Sequence, residues 1–157
     1  CPKHFACNNQ ETNRNYNDSR VSERALREIY LKGFEICVKE SNPYSIMSSY
    51  NKINGVWAHY HFDLATEILR NEWKYQGCIL TDWWMRMAKD PNFEHVENNA
   101  YRVRAQVDIL MPGGKDFVTK ESDDSLIQSL EHLDGITLKE VQHSALNVLN
   151  LIQKIKG

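Results

Sequence analysis

Short apolar runs alternate along this chain with longer stretches whose apolar residues recur at helical spacing. The first run, His4-Phe5-Ala6-Cys7, reads as a strand end followed by a polar loop from Asn8 to Asp18. Ser22 is placed to cap a helix, with Glu23 adding a favourable charge to its first turn. Ala25, Leu26, Ile29, Tyr30, Phe34, Cys37 and Val38 carry that helix to about Lys39, and Pro43 separates it from a strand over Tyr44 to Tyr50. A turn at Asn54-Gly55 leads to a second helix, about His61 to Trp73, with Leu64, Ile68 and Leu69 facing inward. Gly77 precedes the strand Cys78 to Thr81, which runs directly into Asp82-Trp83-Trp84. Met85 to Asn98 reads as a long loop, Asn99 to Arg104 as a helical stretch, and Gln106 to Met111 as a strand stopped by Pro112-Gly113-Gly114. Two helices close the chain, about Asp123 to Leu133 and Leu138 to Lys156, the last opened by a Thr137/Glu140 capping box.

The order is β-α four times over, with every strand expected to be parallel. Four consecutive βα units make half of a TIM-type (β/α)8 barrel, an α/β half-barrel fragment. In such barrels chemistry collects at the C-terminal ends of the strands. Those ends carry Lys3-His4, Tyr50-Asn51, Asp82-Trp83 and Met111-Pro112. A doubly wound open sheet fits the alternation as well, but no GxGxxG or Walker sequence supports a nucleotide site. Half a barrel has two open sheet edges and an inner face, assigned to Ile46, Ile79 and Leu110 or their strand neighbours, that needs cover; an isolated chain of this kind is expected to self-associate.

Composition narrows the function classes. The 157 residues suffice for one domain, and the abrupt start suggests that a longer chain precedes it. A net charge of −2 gives no electrostatic case for nucleic acid or an acidic membrane surface, and no apolar run is long enough to span a bilayer. Cysteines at 1, 7, 37 and 78 match neither a disulfide scaffold nor a CxxC metal site, so free thiols and a reducing, cytoplasmic compartment are expected.

Asp82 leads the candidate chemistry. A carboxylate at a strand end beside two tryptophans suits a nucleophile at a sugar site, because indole faces stack on the apolar faces of pyranoses; an Asp capping the next helix beside two core tryptophans is the alternative. Lys3 and His4 can hydrogen-bond sugar hydroxyls, or be a surface lysine and a satisfied histidine. Arg14 offers a fork of donors, or a loop ion pair with Glu11. Tyr50 can donate to a carboxylate, or pack in the core. His59-Tyr60-His61 places two histidines on one face of an extended segment, but no third ligand is marked, and His132 and His143 read as solvent-facing. No metal and no organic cofactor is expected.

Together KHFACNNQETNR, SERALREIYLKGFE, SIMSSYNKINGVW, ILRNEWKYQGCILTDWW, QVDILMPGG and ITLKEVQHSALNVLNLI resemble glycoside hydrolase family 3 over nearly the whole chain. The resemblance implies the C-terminal half of the family's barrel, with Asp82 in its (S/T)DW motif as catalytic nucleophile. It implies that Trp83 lines the glycosyl subsite, that Lys3 and His4 grip sugar hydroxyls, that Arg14 contacts the sugar, and that Tyr50 orients the nucleophile with Met47 in the wall nearby. The stretch KHFACNNQE is similar to the glucosidase and xylosidase branch, not to the KHFPGHG-type stretch of the N-acetylglucosaminidases. A retaining, exo-acting β-glucosidase is therefore implied, with a small carbohydrate as substrate. Two parts of such an enzyme are missing from residues 1–157: the preceding strands, with the acidic residue that clamps distal hydroxyls, and the α/β sandwich domain that brings the general acid/base. The rival expectation is a catalytically incomplete half-barrel that self-associates.

Overall fold

The computed structural model describes residues 1–85, 87–113 and 122–156; Arg86 of the expected loop and Gly114 of the expected strand stop lie outside the described residues. The architecture is mixed α/β. Its first strand, β1 (Asp18–Ser19), precedes a continuous helical stretch: α1 (Glu23–Ala25), a π-helical segment (Leu26–Tyr30) and α2 (Lys32–Ser41). Ser22 caps it as expected, its hydroxyl accepting from the Ala25 amide at 3.2 Å. The expected register is corrected inside this helix. The Leu31 amide bonds the Leu26 carbonyl five residues back, and this wide turn puts Leu26 and Leu31 together in the core while Ile29 is left exposed. The Asp63–Glu72 helix is π-type as well, and Leu64, Ile68 and Leu69 all face inward, joined by Trp73 five residues beyond Ile68.

The parallel sheet has the order β2 (Ser45–Met47), β5 (Cys78–Trp83), β6 (Ile109–Met111). The start of the chain runs along the free edge of β2: the Phe5 amide donates to the Met47 carbonyl at 2.8 Å, and the Ser49 amide to Phe5 at 2.9 Å. All four expected strand positions are thus neighbours and parallel, though Phe5 contributes only a bridge to Ser48. Between β5 and β6 the register slips. Leu80 pairs with Ile109 but Trp83 with Met111, so β5 carries one extra residue, a bulge.

A second small sheet was not expected. β3 (Lys52–Ile53) and β4 (Val56–Trp57) form a hairpin, and β1 pairs with β3 in parallel. Asn54 and Gly55 both have positive φ, the conformation that a two-residue hairpin turn demands and that Asn-Gly favours. α3 (Asn98–Arg104), α4 (Ser125–Leu130) and α5 (Leu138–Lys156) complete the chain, α4 being shorter at both ends than the expected Asp123 to Leu133.

Ile46 and Ile79 are register partners and fully buried against the helices with Phe5, Leu31 and Leu69. Of the alternatives expected for the uncovered face, Ile46 and Ile79 are therefore corrected and their strand neighbours hold. Alternation puts Met47 and Leu80, also register partners and only half-buried, on the opposite face. A smaller core gathers Val96, Ala100 and Ile136.

One buried ion pair ties the layers together. Asp108 accepts from Arg70 at 2.6 Å and from the Ile79 amide at 2.8 Å through one oxygen, and from Asn147 at 2.9 Å and Ser144 at 3.2 Å through the other. Arg70 also donates to the carbonyls of Gly77 and Gln106. Replacing Arg70 by Met leaves a buried, unpaired carboxylate, and equilibrium denaturation should show a loss of about 3–5 kcal/mol. A smaller acid-dependent contribution comes from the capping box at α5, where the Thr137 amide donates to Glu140 at 2.6 Å. Burial raises the Glu140 carboxyl, but hydrogen bonds from Thr137 and Arg104 outweigh it and hold the group below its usual range. A lowered folded-state pKa means stabilisation present above the unfolded value and lost as pH falls through the folded one. Glu140→Gln keeps an acceptor for the Thr137 amide but not the charge, and should therefore weaken the fold by about 0.5 kcal/mol near neutrality and flatten the acid limb of the stability–pH curve.

Candidate functional site

Asp82 sits where β5 leaves the bulge. Its side chain is buried, and Oδ1 accepts from the Trp83 amide at 2.8 Å. Oδ2 stands 3.3 Å from His4 Nε2 without hydrogen-bond alignment to it. The Thr81 hydroxyl accepts from the Met111 amide at 2.9 Å, which fixes the strand immediately before the carboxylate. Asp82 does not cap a helix: it belongs to the strand, and α3 begins only at Asn98.

Tyr50 follows β2 on the same rim. Burial raises its phenol above the usual value, and the Asp82 charge and a hydrogen bond to that carboxylate push the same way, while the Arg14 charge opposes them. Arg14 lies with its guanidinium carbon 4.6 Å from the Tyr50 ring centre. It also makes the ion pair with Glu11, at 2.8 Å, so both readings of Arg14 hold at once. The turn after Phe5, where the start of the chain meets this rim, is braced from β2's side: Ser49 and Asn51, both buried, donate to the Ala6 carbonyl. The Lys3–His4 peptide is cis.

The structure thus brings His4, Tyr50, Asp82 and Arg14 together. Trp83 is partly exposed beside Trp84, with ring centres 5.4 Å apart. Met47 lies half-buried on the uncovered face, and Lys3 is exposed at the chain start next to His4. A small open cavity of about 100 Å³ is lined by Asn15, Tyr50, Trp84 and Met85. Asn15 was not singled out by sequence, and Trp84 was read only as one of the two tryptophans after Asp82, with no site role of its own. Trp84 carried the same aromatic signal as Trp83, whereas a loop asparagine carried none.

His59 and His61 do not form a ligand pair. His59 is fully buried and accepts from Arg102 at 3.4 Å; burial first, and the Arg102 charge second, push its pKa well below the usual value. Arg102 in turn donates to the Tyr60 hydroxyl at 3.0 Å, so this cluster braces α3 against the segment after β4. All four cysteines are free, and burial raises the Cys7 thiol to about 11 and the Cys78 thiol to about 12. Among the described residues no helix is long and apolar enough to cross a membrane.

The contact between Tyr50 and Asp82 has a spectroscopic consequence. In Asp82→Asn the charge that raises the phenol is gone while its burial remains. Tyr50 should then titrate at lower pH than in the unsubstituted chain, read by ultraviolet difference absorption or by carbon-labelled tyrosine resonances. An unchanged titration would place the two side chains apart.

Residues 1–151 match the model of the glycosyl hydrolase family 3 N-terminal domain. A β-glucosidase of Ruminococcus albus is 46% identical over 96% of the chain, which spans 15% of that protein. An exo-α-(1→6)-L-arabinopyranosidase of Bifidobacterium longum is 36% identical over 99% of the chain, which spans 18% of it. Among solved structures, a β-glucosidase from Paenibacillus barengoltzii superposes with a TM-score of 0.82 at 44% identity, covering 95% of this chain and 16% of its own. β-Glucosidase 3B of Thermotoga neapolitana, solved with glucose, gives 0.81 at 36% identity over 96% of this chain and 20% of its own.

Proposed function

The chain belongs to glycosyl hydrolase family 3, and from that premise we propose that it is the C-terminal half of the barrel of a retaining, exo-acting β-glucosidase with Asp82 as nucleophile. The observation that carries the reading is the buried Asp82 carboxylate on the strand rim, held between His4 and Tyr50 with one oxygen outside aligned hydrogen bonds. Asp82 attacks the anomeric carbon, the glycosidic C–O bond breaks, and the leaving oxygen takes a proton from an acid on another part of the parent protein. Water then displaces Asp82 from the glycosyl-enzyme with the same group acting as base. His4 and Lys3 bind sugar hydroxyls, Arg14 and Trp83 shape the subsite, Tyr50 holds the carboxylate, and Met47 forms part of the wall. No metal takes part in this chemistry.

The sugar is glucose, or one that presents similar hydroxyls; identity to the Ruminococcus albus β-glucosidase exceeds that to the Bifidobacterium longum arabinopyranosidase. The activity belongs to the whole parent protein, since this chain spans less than a fifth of either curated relative. A second reading, an incomplete half-barrel that self-associates, is favoured by the half-buried Met47 and Leu80 on the uncovered sheet face and by the exposed Leu146, Leu149, Ile152 and Ile155 on α5. In the parent enzyme, Asp82→Asn should lower turnover by about four orders of magnitude or more with little change in folding, because a neutral amide cannot attack while its volume is nearly the same. A 2-fluoro glucosyl inactivator should label the peptide containing Asp82. Label found only on another carboxylate sinks the nucleophile assignment.

A further inference from the structure

Away from the Asp82 rim, two imidazoles and a carboxylate converge from parts of the chain that no spacing rule connects. His95 lies in the segment between β5 and α3, and His132 and Asp134 lie in the turn between α4 and α5. His95 Nδ1 stands 2.7 Å from Asp134 Oδ1 although the residues are 39 positions apart. The His95 and His132 rings stack at 3.6 Å between centres and 12° between planes. One ligand atom from each of the three residues lies within 4.8 Å of the others.

Both supports of this cluster are braced independently. On one side, Val96 is fully buried, and the segment around it closes on itself through the bonds from Asp90 to Val96 and from Asn98 to Ala88, each 2.7 Å. On the other, the Gly135 amide bonds the His132 carbonyl, Arg104 holds the Gly135 carbonyl at 2.7 Å, and the Ser129 hydroxyl accepts from the Ile136 amide at 3.0 Å. A Cβ on Gly135 would meet the Ser129 carbonyl oxygen at 1.7 Å, so only glycine allows the turn to seat this closely. Val96 and Ile136 share the smaller core, which is what holds His95 against His132 and Asp134.

We propose that His95, His132 and Asp134 bind a divalent transition-metal ion of the zinc class, clamping the segment that follows β5 onto the turn between α4 and α5. Two imidazoles and one carboxylate are a donor set for zinc, cobalt or nickel, not for calcium or magnesium, which take oxygen ligands. Bond lengths of about 2.0–2.2 Å set the donors roughly 3.2–3.6 Å from one another, so His95 Nδ1 and Asp134 Oδ1, now 2.7 Å apart, must part slightly while His132 closes in. His132 is exposed, and its turning off the face of His95 supplies most of this adjustment. An opening of about 200 Å³ beside the cluster leaves room for water in the remaining positions. Of the carboxylates lining it, Glu97 pairs with Lys89 at 3.0 Å, which leaves Glu94 to favour a positive ion.

The test uses the parent protein, stripped with chelator and titrated with Co²⁺ alone. The visible d–d absorption should saturate with a four- or five-coordinate intensity, and Zn²⁺ should displace it and raise the thermal midpoint. His132→Gln and Asp134→Asn, both altering partly exposed side chains, should weaken Co²⁺ at least about tenfold, while His143→Gln, an exposed histidine on α5 outside the cluster, should leave it unchanged. Equal Co²⁺ binding in His132→Gln and the unsubstituted protein, loss on His143→Gln, or no d–d band at millimolar Co²⁺ would overturn the proposal. Circular dichroism of each variant shows that any loss is not unfolding.

Discussion

Everything in this sheet hangs on one carboxylate. The Asp108 side chain is wholly buried, and its two oxygens bind the Asp63–Glu72 helix through Arg70, the first residues of β5 through the Ile79 amide, and α5 through Ser144 and Asn147. Taking a charge out of water is costly, and the arrangement is tolerable because every lone pair of Asp108 has a partner and Arg70 satisfies two backbone carbonyls besides. A hydrophobic contact would bury comparable area but would not fix direction. These hydrogen bonds do, setting where β5 begins and therefore how far along the rim it delivers its last residues.

The coarse plan was legible because periodicity records burial. Strand positions, the inward residues Leu64, Ile68 and Leu69, the Ser22 cap and the Thr137–Glu140 box are all local signals with a direct physical cause. Ile29 misled because a 3.6-residue period was assumed where the helix widens between Leu26 and Leu31. The hairpin around Asn54-Gly55 was half seen: its turn was read, but two-residue strands are too short for alternation to show. Asp108 passed as an ordinary strand residue, since its partners lie up to 39 positions away.

At the rim the same division holds. His4, Arg14, Tyr50 and Asp82 were all picked out from sequence, and the structure brings them together. What sequence could not give is the order of dependence among them. Arg14 reaches the group through the face of Tyr50, whose phenol feels the Asp82 charge, so the polar loop from Asn8 to Asp18 meets the carboxylate by way of an aromatic ring. The His95, His132 and Asp134 cluster was equally invisible, because it is assembled by a small core of Val96, Ala100 and Ile136 and not by spacing.

The bulge in β5 has a consequence for how this segment can fail. Strict alternation lets a strand present only one of two consecutive side chains to a given face. With one residue extra between Leu80 and Trp83, Asp82 meets His4 and Tyr50 while Trp83 still keeps register with Met111. Removing a single residue there would restore an unbroken ladder, leave the Asp108 hub untouched, and turn one member of the pair into the core or away from the rim. Such a deletion would cost the fold the contacts around Thr81, and its main effect would fall on the rim. The rim is thus encoded as an irregularity, and a chain tidied toward ideal geometry would lose it.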